Sequence, residues 1–135
     1  MCIQQDNLTM RHWLFFIAAF VLLSACGGGS SSNATPAATL DLIAAEGMKV
    51  FNQDCAACHA LTPDMIIVGP SLAGVAGRAA SRMLDLDAKQ YLELSILKPE
   101  AYVVKGFSDM MPKDFGKKLT GEQLDALVAF LMTLK

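Results

Sequence analysis

The sequence is short of charge. Its 11 Lys and Arg stand against 13 Asp and Glu in 135 residues, a net of −2. No basic field is present to hold nucleic acid, so nucleic-acid partners are excluded. Tryptophan occurs once and histidine twice. Four cysteines are too few for a disulfide-rich scaffold. Neither a strand alternation nor an internal repeat is visible. At about 100–200 residues per domain, the length leaves room for one domain. Charged residues make up 18% of the chain, below the usual ~25%, and the mean hydropathy is +0.39. Either a large core or one greasy segment has to account for that.

The greasy segment is at the front. Residues Trp13 to Ala25 read WLFFIAAFVLLSA, with Ser24 the one polar residue. About thirteen apolar residues are too few for a membrane span, which needs roughly 20. They suit the apolar core of a secretory signal, flanked here by Arg11 and His12. The run ends Leu23-Ser24-Ala25-Cys26, which resembles the lipobox of bacterial lipoproteins. That resemblance implies a signal peptide over 1–25, lipid on the Cys26 thiol, and anchorage on the outer face of the cytoplasmic membrane. Where an outer membrane exists, this is the periplasmic side. The alternative is ordinary cleavage near Ala25 with Cys26 left free. Asp6 dilutes the basic flank, and a start at Met10 would give a more compact signal. Residues 27–39, GGGSSSNATPAAT, contain nothing that packs and are expected to form, with Cys26, a flexible tether over 26–39. The folded part is then 40–135.

Within it, three helices are expected. Leu40 to Asp54 has helical spacing, with Leu40, Ile43, Ala44, Met48 and Phe51 mostly on one stripe. Asp87-Ala88-Lys89-Gln90 has the form of a capping box and predicts a helix from Ala88 to about Leu97, stopped by Pro99. Thr120-Gly121-Glu122-Gln123 is a second box. Leu124, Leu127, Val128, Leu131 and Leu134 continue from it in helical rhythm to the C-terminus. Leu61–Leu86 and Pro99–Leu119 read as two long irregular stretches. Loops beyond about 12–15 residues are uncommon unless functional. Something large is expected to sit inside and give them a surface.

Cys55-Ala56-Ala57-Cys58-His59 supplies a candidate. CxxCH reads as a c-type haem attachment site. Two thiols at this spacing can form thioethers with the two vinyl groups of one porphyrin, and His59 then lies under the iron. A redox-active dithiol lacks its βαβ surround, and zinc lacks a second ligand pair. A structural Cys55–Cys58 disulfide is a further alternative. The iron needs a sixth ligand or a vacancy; His12 leaves with the signal, so methionine is the leading candidate. Met48, Met65, Met83 and Met132 read as packing residues. Met111 is preferred because Pro112 fixes the backbone after it, with Met110 as the alternative.

On these motifs the stretch 40–135 resembles a class I cytochrome c. The resemblance rests on Gly47 and Phe51 before CxxCH, on Gly69-Pro70-Ser71-Leu72, on Gly106-Phe107 before Met111-Pro112, and on the final LVAFLMTL. It implies an all-α cytochrome c fold of three or four helices around one covalent haem, with Gly47 and Phe51 meeting Leu127 and Phe130. It also implies that the Pro70 carbonyl accepts a hydrogen bond from His59. The implied role is one-electron transfer without enzymatic turnover or a small-molecule substrate. YLELSILKPEAYVVKGFSDMMP is similar to cytochrome c domains of haem–copper oxidase subunit II, and monohaem subunits of alternative complex III also fit. Partners would be a quinol oxidoreductase complex or a terminal oxidase. A tethered shuttle, a fixed relay subunit and, less favoured, a gas-binding haem protein are the readings left open. Arg78 and Tyr102 are candidates for contact with haem propionates. Lys105, Lys113, Lys117 and Lys118 outnumber Asp109 and Asp114 around Met111, which predicts docking through that side.

Overall fold

A computed structural model describes residues 36–135. The expected signal peptide, Cys26 and the tether up to residue 35 lie outside the described residues. Helix α1 runs Pro36–Asp54. It is followed by α2 (Val75–Ala79), α3 (Ala88–Leu97), a single 3₁₀ turn (Pro99–Ala101), α4 (Phe115–Lys118) and α5 (Gly121–Thr133). Among the described residues there is no strand. The all-α expectation therefore holds, with two short helices beyond the three expected.

The tether expectation needs one correction. Residues 36–39 are helical, because Pro36 opens α1. Proline at a first helical position loses no hydrogen bond, and its fixed φ suits the turn. Two alanines follow, the best helix formers.

Both capping boxes form. The Asp87 carboxylate accepts from Gln90 N at 2.8 Å, and the Gln90 side chain accepts from Asp87 N at 3.0 Å. Thr120 and Gln123 do the same at 3.2 and 2.9 Å. Gly74 precedes α2 with φ +65°, and Ala76 N donates to Leu134 O at 3.0 Å, tying α2 to the end of the chain.

The core forms where α1 crosses α5. A methyl group built on Gly47 would lie on the Ala126 carbonyl oxygen, so the two backbones touch there. Phe51 and Phe130 meet with ring centroids 5.6 Å apart, and Leu127 and Val128 are buried beside them. The stripe expected on α1 is only partly right. Ala44 and Phe51 pack, but Leu40, Ile43 and Met48 are exposed, and Val50 is buried instead. For Leu40 the reason is reach, because a 13-residue helix, ~20 Å long, cannot cover a 19-residue one of ~29 Å. Periodicity marks a face, not how far the partner reaches along it. Helix α3 packs on α2, α4 and α5 and buries Tyr91, Leu92 and Ile96. No helix among the described residues is long and apolar enough to cross a membrane.

Candidate functional site

Helix α1 does not stop cleanly at Asp54. Cys55 N and Ala56 N both donate to Phe51 O, at 2.8 and 2.9 Å. Cys58 N and His59 N then both donate to Cys55 O, at 3.0 and 2.9 Å. The CxxCH segment is thus wound into one more turn, which places Cys55, Cys58 and His59 on the wall of a single cleft. The following loop folds back on this turn. Val68 N and Gly69 N donate to Cys58 O, and Leu72 N donates to Ala60 O.

This return brings Pro70 to His59. His59 Nδ1 lies 2.8 Å from Pro70 O. A carbonyl only accepts, so Nδ1 carries the hydrogen and Nε2 is left with the free lone pair that a metal ligand needs. Gly69 is packed flat on the imidazole. A Cβ there would collide with His59 Cε1. Gly69→Ala should therefore displace the ring and strain the bond to Pro70. The expected cost is ~1–3 kcal/mol, as for other overpacked sites, read by urea unfolding, together with a changed redox potential. An unchanged potential would contradict the positioning role.

Further lining of the cleft comes from the Pro99–Leu119 stretch. Among the described methionines, Met110 and Met111 border the cleft, whereas Met48, Met65, Met83 and Met132 do not. Met65 is exposed rather than packed, and so is Met48. Met111 packs against the core, while Met110 is 70% exposed. The cleft encloses about 210 Å³ of free space and is open at its mouth.

The donor chemistry fits a covalently held haem. The two thiols are unbridged. Burial pushes the Cys55 thiol up to about 11, with the adjacent Asp54 carboxylate adding to the rise. A redox-active dithiol relies on a depressed thiol, and Cys55 is shifted the other way. Among the described residues no three His, Cys, Asp or Glu side chains cluster as a metal site. Ser95, on α3 in the same wall, has a buried hydroxyl with no hydrogen-bond partner. Buried polar groups are rarely orphaned, and a cofactor in the cleft is where its partner would lie.

The propionate candidates come out differently. Arg78 borders the cleft, but its Nη1 and Nη2 donate to the Ala73 and Ser71 carbonyls at 2.6 and 3.0 Å. Tyr102 is in the wall, edge-on to Tyr91. The lysine-rich side is also less free than its sequence suggests. Lys113 pairs with Asp109 at 2.7 Å, and Lys118 pairs with Asp54 at 2.5 Å. Each bond holds its lysine above the ordinary 10.5. A raised lysine value means a contribution that is full below 10.5 and fades as pH climbs through the folded value, so both pairs are intact at neutral pH.

Three parts of this site were not singled out from sequence. From sequence Gly69 reads only as part of a motif, and nothing there marks its contact with His59. Ser95 is one hydroxyl between apolar neighbours on α3, a signal that was present but unread. Nothing local marks the Asp54 side chain as covered.

Residues 44–135 match the family model described as Cytochrome c. The chain is 30% identical over 110 residues to cytochrome c oxidase subunit 2 of Bacillus sp. (strain PS3). That match takes in 76% of this chain and 29% of the relative, so the chain spans less than a third of the relative's length.

Proposed function

The chain belongs to the cytochrome c family, electron carriers with covalently bound haem, and from that premise we propose that it is a lipid-anchored, single-haem carrier of electrons between respiratory or photosynthetic membrane complexes. The observation that carries the reading is the His59–Pro70 hydrogen bond in a cleft shared with Cys55, Cys58 and Met111. Cys55 and Cys58 would hold the haem as thioethers, and His59 and Met111 would bind its iron. The haem supplies reversible one-electron exchange at its iron. Pro70 fixes the His59 tautomer and strengthens it as a ligand. Apolar walls from Leu92, Ile96, Leu127 and Leu131 keep water from the buried side. With His59 and Met111 both bound to the iron, no position would be left for a substrate. This reading makes the chain a carrier rather than an enzyme.

Anchorage through Cys26 rests on Leu23-Ser24-Ala25-Cys26 at the end of the apolar run. The similarity to an oxidase subunit favours a second reading, a fixed relay within a larger complex. The two separate on purification. Full-length chain from native membranes, extracted in mild detergent, should carry one haem that acid–acetone does not release. A free carrier elutes alone, and a relay elutes with its complex. Release of the haem by acid–acetone would sink both readings.

A further inference from the structure

We propose that Asp54 and Lys118 form a clasp that holds the methionine-bearing segment over the cleft, making Lys118 a positioning residue of the site rather than a docking charge. The proposal rests on Met111 as iron ligand.

The two residues end two helices. Asp54 is the last residue of α1, directly before Cys55, and Lys118 is the last of α4, seven residues after Met111. Their Nζ–Oδ1 distance is 2.5 Å. The other ion pairs among the described residues join neighbours on one stretch of chain, whereas this one bridges two stretches that line the cleft. It has little polar company. The backbone hydrogen bonds of the segment, from Ala101 N to Lys98 O through Leu119 N to Phe115 O, each span four residues or fewer. None of these bonds reaches across. Lys118 Nζ also lies 5.8 Å from the ring centroid of Phe115, a buried residue of the same cleft.

The burial is lopsided. The Asp54 side chain is 6% exposed and Lys118 is 51% exposed. A buried carboxylate is tolerable when paired and costly when not. Removing the lysine leaves Asp54 buried and uncompensated, and the simplest relief is for the segment carrying Met111 to swing out and admit water. Removing the carboxylate leaves a half-exposed ammonium that water already reaches. The two halves of the clasp therefore differ in consequence, which a merely decorative surface pair would not.

The test measures imidazole binding to the ferric holoprotein, because imidazole must displace the methionine. Its apparent affinity scales with the fraction of molecules in which the site is open. Lys118→Gln should raise that affinity about tenfold and Asp54→Asn about threefold, with loss of the methionine-to-iron charge-transfer band in proportion. The double variant should fall well short of the product, since the two side chains form one interaction. Asp54→Asn is nearly isosteric and keeps the test alive where Lys118→Gln loses haem. Singles within about twofold of wild type, or effects that multiply, overturn the clasp. A Met111→Ala control separates the two failures. If it leaves imidazole affinity at the wild-type value, the ligand assignment has failed. If it binds tightly and no longer responds to Asp54→Asn, both ideas stand.

Discussion

Alanine at Gly47 should destabilise the domain severely. The added methyl would land on the Ala126 carbonyl oxygen and also press on Phe130 Cβ at 2.8 Å. Neither can yield cheaply. The first is helix backbone, and the second belongs to a buried ring already packed on Phe51. Ordinary overpacking costs ~1–3 kcal/mol, and a clash with backbone exceeds that, so ~3 kcal/mol or more is expected. Set against a total stability of ~5–15 kcal/mol, this is a large fraction. The measurement is the urea midpoint of the purified holoprotein, together with the yield of covalently bound haem. Gly77→Ala is the matched control. It lies within α2 with nothing inside 4 Å of the added methyl, so it should be neutral or gain up to ~1 kcal/mol. Equal behaviour of the two variants would mean that α1 and α5 do not meet as described.

Met111→Ala should open the iron to added ligands and lower its potential. Carbon monoxide would bind the reduced protein at once, where wild type resists it. Loss of a thioether ligand disfavours Fe(II). A tenfold or larger shift in the Fe(II)/Fe(III) ratio is expected, ~59 mV for one electron. Met110→Ala provides the contrast. Its side chain is 70% exposed, so both readouts should stay near wild type. Reversal of the pair would move the ligand to Met110. Rapid carbon monoxide binding by the wild type would instead favour the gas-binding reading.

Much of this architecture could be read from local chemistry. The boxes at Asp87 and Thr120 are self-contained, because cap and responder lie three residues apart, and both helices begin where those residues place them. CxxCH was legible for the same reason. What escaped the sequence is whatever depends on a distant partner. The exposure of Leu40 follows from how far α5 extends, which nothing in α1 encodes. Helices α2 and α4 are one turn each, too short for any periodicity to announce. The Lys118 charge looked available because its partner is far away in sequence. Pro36 escaped for a different reason: its position in a Gly/Ser/Ala-rich stretch suggested linker, although proline is well suited to begin a helix.

The crossing of α1 and α5 also bears on the order of folding. Gly47 and Ala126 touch although about 80 residues separate them, and closing a loop of that length costs about 4 kcal/mol at (3/2)RT ln n, before the constant term. A chain must meet that entropic demand before its best-packed contact forms. A bond between the His59 wall and Met111 would join points only about 50 residues apart, leaving a shorter search for the ends of the domain to find each other. Attachment of the cofactor should therefore act on the folding rate as well as on final stability, and the step it accelerates is the late meeting of the first and last helices.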